Sequence, residues 1–355
     1  VVQWPGGAWQ QAATQLDLQL APDGVYLDAL TIYEAELSLQ PGEPAPPVTM
    51  MLPTLELPLT LAVDGMTLVN PGVKVGELVE QFDALVGALR WRGARLDITQ
   101  LKLEQEGRGE VVAHGHVLMA EGWPLELALS AAVSAPSLPT VLNERQVEVV
   151  LAGEPNALSL EAKVSGEPRL VLFASADLLA PKRPFRASAQ FTGEAPLRLA
   201  ELQNAPPALA DAALVWPLEL TAKGDSENQA LSLQGRLRDV GYQVLDIVLT
   251  ARNQPGVMRV DELQVSAGDQ GSVSLAGSLH YADGYQWEAQ LESPRLVLPR
   301  LSEYVFGEVA GQLATAGHFD AAGWHLDLQN VDLKGKVNGL PELLKGDLQL
   351  DSADL

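Results

Sequence analysis

The stretch GEVVAHGHVLMAEGWPLELAL, residues 109–129, occurs again in altered form as GSVSLAGSLHYADGYQWEAQL, residues 271–291. Aligned without a gap, Gly109, Gly115 and Gly122 meet Gly271, Gly277 and Gly284, Val111 meets Val273, Trp123 meets Tyr285 and Glu126 meets Glu288. Apolar and polar residues alternate within the copies, as Leu125, Leu127 and Leu129 do with Glu126 and Ser130. Side chains leave a pleated strand on opposite sides in turn, so period two marks strands with one dry and one wet face. Each copy reads as a hairpin plus a strand. Copies at about 94–135 and 257–298 favour one continuous repetitive architecture over residues 1–355 rather than two unrelated domains.

Outward from these copies the pattern persists. Leu57, Leu59 and Leu61 share one side of LELPLTLAV, Leu218 and Leu220 one side of WPLELTAKG, and Leu275 and Leu279 one side of VSLAGSLH. Trp287 and Leu291 do so in YQWEAQLE, as do Leu326 and Leu328 in WHLDLQ. Between the strands lie turn formers such as EGRG at 106–109, GEP at 153–155 and GDSEN at 224–228, which predict an antiparallel sheet built from hairpins. Residues 41–53 form a Pro-rich loop, because clustered prolines cannot donate to a ladder. Two segments carry helical signals. Val75, Leu78, Val79, Phe82, Leu85, Val86 and Leu89 fall at helical spacing, but Gly76 and Gly87 leave helix and bulged strand equally open. PRLSEYVFG at 299–307 reads as one short helical turn, with Ser302 as N-cap and Gly307 as stop.

Composition narrows the function. With 46 Asp+Glu against 23 Lys+Arg the chain carries a formal charge of −23, which excludes nucleic acid as a partner because a polyanion is repelled. The absence of cysteine removes disulfides, thiolate chemistry and Cys-based metal sites, and suits an oxidising compartment such as the periplasm. The chain shows no P-loop, GxGxxG, GxSxG or HExxH pattern. His114 and His116 share one strand face and His280 holds a related position, but no further ligand falls at metal spacing, and exposed strand histidines are the expectation. No carboxylate pair or nucleophile with a base stands out, so the reading is a protein that is not an enzyme and needs no metal or cofactor. Trp123, Tyr242, Tyr285 and Trp324 follow turn glycines and are expected to pin hairpins. Trp287 lies in mid-strand on the dry side, in a core or lining a cavity.

One-sided strands must hide the dry face against another sheet, helices or a ligand. Few helices are available, and about 20 strands stay open only if the sheet splits or curls, which leaves stacked sandwiches and a curled groove as alternatives. The repeated unit, with VVAHGHVLMAEGWPLELALS and VSLAGSLHYADGYQWEAQLESPRLVLPRLSEYVFGEVAGQLATAGHFDAAGWHLDL, resembles the TamB family, within the AsmA-like superfamily of bridge-like lipid carriers.

That resemblance implies an all-β fold, a long curled sheet or β-taco with an apolar concave face. The groove would be lined by Leu57, Leu59, Leu61, Leu125, Leu127, Leu129, Leu218, Leu220, Leu275, Leu279, Trp287, Leu291, Leu326 and Leu328. It implies carriage of phospholipid between inner and outer membranes, and a contribution to outer-membrane protein assembly. It also implies a periplasmic site, an inner-membrane anchor and a TamA-like outer-membrane partner, the last two met through regions outside this sequence. Magnitudes suit a conduit: burying a 16-carbon acyl chain is worth about 12 kcal/mol, at roughly 0.8 kcal/mol per methylene. Twenty strands at about 4.8 Å would give a trough on the order of 95 Å. The alternative is a scaffold that templates outer-membrane strands by edge pairing without conducting lipid. A packed β adhesin or enzyme-accessory domain is a third reading, but with 5% aromatics the chain has little from which to build glycan platforms.

Overall fold

The computed structural model describes residues 2–4, 7–39, 52–76, 78–133, 145–201, 212–238, 244–282, 284–302, 305–320, 323–337 and 340–351. Most of the Pro-rich segment, residues 41–51, lies outside the described residues, as does Tyr242. Two compact units divide the chain, Val1–Pro184 and Phe185–Leu355.

The first unit contains β1 (Val2–Trp4), β2 (Gly7–Gln10), β3 (Ala13–Ala21), β4 (Gly24–Tyr33), β5 (Glu36–Leu39), β6 (Leu57–Val69), β7 (Gly72–Val75) and β8 (Leu78–Gln81). It continues with β9 (Ala84–Gly93), β10 (Arg95–Gln105), β11 (Gly109–Leu118), β12 (Leu125–Val133), β13 (Arg145–Gly153), β14 (Leu158–Val164) and β15 (Arg169–Ala176). Its main sheet runs β3-β4-β6-β9 and then in sequence order to β15, and a small sheet runs β1-β2-β5-β7-β8. The second unit contains β16 (Phe185–Thr192), β17 (Leu197–Arg198), β18 (Ala213–Gly224), β19 (Gln229–Arg238), β20 (Leu245–Gln254) and β21 (Val257–Ser266). After these come β22 (Gly271–His280), β23 (Tyr285–Ser302), β24 (Val305–Asp320), β25 (Gly323–Val337) and β26 (Leu340–Asp351). From β18 onward each of its strands pairs with the next.

The fold is all-β, and among the described residues its pairings are antiparallel with two exceptions: β4 pairs β6 in parallel and β5 pairs β7 in parallel. Both arise because β5 leaves the main sheet for the small one, so β4 and β6 meet without a hairpin between them. No α-helix occurs among the described residues, where the only helical elements are 3₁₀ turns at Leu199–Glu201 and Gly268–Gln270. The helical turn expected at 299–307 is therefore corrected: β23 runs to Ser302 and β24 resumes at Val305. The segment at 75–89 resolves into β7, β8 and the start of β9; Gly87 lies in β9, where a Cβ would stand 2.7 Å from the Gln100 carbonyl oxygen.

The internal repeat keeps its register through the central bulge and departs from it only where β22–β23 adds a bulge between Ser272 and Ser274 that β11–β12 lacks. Ile98 faces Gly115, a bulge follows, and Leu101 faces Ala113; at the same separation that parts 109 from 271, Val260 faces Gly277, a bulge follows, and Leu263 faces Leu275. The match extends one strand before the sequence copies, since Gln100 faces Ala88 as Glu262 faces Thr250. In the first unit β4 and β6 each carry one extra residue at this level, between Leu27 and Leu30 and between Val63 and Met66. Bulges bend a strand and raise its twist, so a line of them at one level curls a sheet of this width.

Turn chemistry fixes the hairpins. The Asp225 carboxylate accepts from the backbone amides of Glu227 and Asn228, both at 2.8 Å, which closes the β18–β19 turn. Gly115 has φ +142°, and a Cβ there would lie 2.0 Å from the Glu126 carbonyl oxygen; Gly277 meets the Glu288 carbonyl at 2.2 Å in the same way. Gly115→Val is expected to weaken the β11–β12 pairing by roughly 1–3 kcal/mol, the cost of overpacking. Hydrogen-exchange mass spectrometry should show faster exchange over residues 109–133, and unchanged protection would mean that this close approach is dispensable.

Candidate functional site

Residues directly opposite across a ladder share a face, so the registers assemble the dry positions into rows. In the first unit one row runs Leu18, Leu27, Val63, Leu89, Ile98, Gly115, Leu127, Leu151, Leu160, Ala174. A second runs Leu16, Leu30, Met66, Gly87, Leu101, Ala113, Leu129, Val149, Ala162, Leu172. Leu61, Trp91, Leu96, Val117 and Leu125 belong to a third, and Leu68, Leu85, Leu103, Val111 and Val147 to a fourth. Each bulge keeps a row intact: the one extra residue between Ile98 and Leu101 restores leucine to the dry face where strict alternation would turn it outward.

The second unit repeats this construction. One row runs Ala189, Leu220, Leu233, Leu249, Leu263, Leu275, Leu291, Leu313. Met258, Leu279, Trp287, Gly317, Leu326 and Leu350 form another. Between them Val260, Gly277, Ala289 and Thr315 are followed by Leu328. Leu218 faces Phe191, and Trp287 covers Gly317, where a Cβ would come within 2.3 Å of the indole ring. Trp123 instead donates its indole N–H to the Pro53 carbonyl at 2.8 Å, and Tyr285, Phe319 and Trp324 stand in register at one end of β23–β25.

Of the residues expected on the dry face, Leu61, Leu125, Leu127 and Leu129 fall in the rows of the first unit, and Leu218, Leu220, Leu275, Leu279, Trp287, Leu291, Leu326 and Leu328 on the row face of the second. Leu57 stands at the strand end opposite Gly93, while Leu59 sits in the bulge between Leu57 and Leu61, 48% exposed. Sequence alternation alone does not reach the partners across the bulges, Leu89, Ile98 and Leu101 among them. It also passes over Leu16, Leu18 and Leu20 in β3, whose TQLDLQLA pattern carries the same signal.

These rows are covered only in part: Val63, Leu68 and Ala162 are buried, while the other row leucines of the first unit are half-buried or exposed. Among the described residues the thirteen buried hydrophobics include seven alanines, and no large side chain is fully buried. Leu125, Leu127 and Leu129 are half-buried, shielded by neighbours on their own face. Leu344 and Leu348 in β26 are 61% and 50% exposed, and Leu16 in β3 is 57% exposed. The opposite face is polar. His114 and His116 lie on it, and Lys102 sits 2.8 Å from Glu104 and 2.7 Å from Glu110, whose hydrogen bonds hold its ammonium well above the ordinary lysine range. Arg252 engages Asp261 with both ends of its guanidinium, at 2.8 and 2.6 Å. No group of three metal-ligating side chains comes together among the described residues.

The fold and this face define a repeat-built β-sheet protein that presents a partly covered apolar surface. The chain belongs to the family of the TamB N-terminal domain, whose family model matches residues 34–354. No curated protein and no solved structure matches it. Family membership carries an envelope setting and a transport or assembly type of role. No helix among the described residues is long and apolar enough to cross a membrane.

The Arg252 hydrogen bonds hold the Asp261 carboxyl below its ordinary 3.8. The stabilisation from this pair is thus present above that value and is lost as pH falls through the lowered pKa. Carbon-detected NMR should place Asp261 below 3.8, and Arg252→Gln should raise it; a titration insensitive to that substitution would remove the pairing as the cause.

Proposed function

We propose that the apolar rows line a groove that carries phospholipid acyl chains between the inner and outer membranes, in the periplasm. The observation that carries this reading is a face of continuous leucine rows whose leucines, Leu68 apart, stay half-buried or exposed in the first unit. Ten strands in one row span nine gaps of about 4.8 Å, or ~43 Å in the first unit alone. Four rows about 6.8 Å apart give a strip ~20 Å wide. A methylene leaving one leucine meets the next within one strand spacing, so the chain moves without recovering the roughly 0.8 kcal/mol per methylene that exposure to water costs. Headgroups stay in water. The acidic charge of −23 keeps so apolar a sheet soluble and gives anionic headgroups no general hold, which favours passage over retention. No reacting group takes part, and no cofactor or metal enters. An anchored longer protein, meeting a TamA-like barrel at the outer membrane and aiding outer-membrane protein assembly, is the setting this role fits.

Leu127 lies in mid-row between Gly115 and Leu151, while Ala128 points to the other face beside His114. Leu127→Asp and Leu279→Asp are expected to cut co-purifying phospholipid, measured by extraction and mass spectrometry, at least fivefold with the circular dichroism of the strands retained. Ala128→Asp should leave the lipid load unchanged. Lipid-free parent protein, or equal losses from Leu127→Asp and Ala128→Asp, would overturn the conduit and favour a strand-templating scaffold.

A further inference from the structure

The geometry points to a phosphate-binding site at one margin of the first unit. A cavity of about 920 Å³ opens where the β3–β4 turn, the start of β6 and the end of β9 converge, and Asp23, Tyr26, Leu57, Leu59, Arg90 and Arg92 contribute to its lining. Arg90 and Arg92 are two residues apart on β9, so both project to the polar face about 6.8 Å apart. In a chain of charge −23, neither has a carboxylate within 4.0 Å among the described residues, whereas Arg95, Arg108, Arg252 and Arg295 each hold one. The acids nearby are engaged elsewhere: Asp97, opposite Arg90, accepts from Arg95 at 2.8 Å, and Asp23 accepts from the Tyr26 hydroxyl at 3.1 Å. The Asp23 hydrogen bond raises the Tyr26 phenol, and the charges of both arginines act on it in the opposite sense, so their field reaches into the cavity.

Two guanidiniums against one carboxylate leave a single positive charge, which matches a phosphodiester, and planar forks suit its paired oxygens. Leu59, set into the cavity by the bulge, and Leu57 beside it give the same site an apolar wall. On the other side of the sheet the row through Leu61 and Trp91 begins one residue from Thr60 and between the two arginines. A headgroup phosphate at the margin would thus leave its acyl chains against that row; in this lipid form the inference rests on the carriage reading, while the anion site does not.

Titration calorimetry on the whole chain with inorganic phosphate, with dihexanoylphosphatidylglycerol below its micellar concentration and with phosphate-free dihexanoylglycerol tests it. The expected result is binding of the phosphatidylglycerol that weakens with added salt and falls at least tenfold in Arg90→Gln/Arg92→Gln, with the diacylglycerol much weaker. Inorganic phosphate binding as tightly as the lipid, with the same loss in the variant, supports the anion site and overturns the headgroup assignment. No binding of either phosphate compound, or binding indifferent to the double substitution, overturns the site. Repeating the phosphate arm in Leu127→Asp separates the two readings, because loss of the groove leaves this margin intact.

Discussion

Everything in this chain depends on register. A strand with one apolar side is useful only while its neighbours present theirs at the same level, and a slip of one residue would turn a whole row toward the charged face. Glycines where backbones approach most closely hold that register: neither Gly115 nor Gly277 could carry a side chain without meeting the carbonyl of the facing strand. Bulges hold it as well. The sheet bends at each bulge, and the extra residues absorb the change of parity, so that Leu27, Val63 and Ile98 lead to Leu30, Met66 and Leu101 without a break in either row. Curvature and continuity are thus solved by the same residues.

The second constraint is that the rows are covered only in part. A conventional sandwich would bury its leucines fully, yet here the buried set is small and rich in alanine, and the row leucines of the first unit, Leu68 apart, are half-buried or exposed. Such a surface in water is an aggregation hazard unless something offsets it. The polar face supplies much of the offset, with Lys102 held between Glu104 and Glu110 and Arg252 on Asp261, all exposed pairs whose direct worth is small. Their value is in keeping a strongly charged face local and orderly while net repulsion between molecules persists.

Much of this was legible in the sequence. Period two in PLELALS and YQWEAQLE places Leu125, Leu127, Leu129, Trp287 and Leu291 on the row face, and the glycine-aromatic repeat anticipates a register that the two ladders share from Gly115 and Gly277 to Val112 and Ser274. What alternation cannot show is where it breaks. Leu59 keeps the parity of Leu57 and Leu61 yet lies in a bulge, and Ile98 and Leu101 share a face although three residues apart. The helical spacing from Val75 to Leu89 arises from three short strands whose phases differ, a pattern that apolar positions alone do not separate from a helix. The parallel meeting of β4 and β6 is a matter of which sheet β5 joins, a long-range choice with no local signature.

The repeat explains why such a surface can be built at all. A four-strand unit that carries its own bulge and its own facing glycine needs only its neighbours to complete a row. An apolar strip made this way has no preferred stopping place along its leucines, and a chain resting on it meets similar contacts at every strand. Exceptions then acquire meaning. Trp287 over Gly317 and Trp91 beside Leu61 put rings into rows built mostly of aliphatic side chains, and Arg90 and Arg92 stand at a margin where the β6 bulge exposes Leu59. On the proposed carriage reading, uniform rows would let an acyl chain move, and the departures from uniformity are where an amphiphile would be oriented.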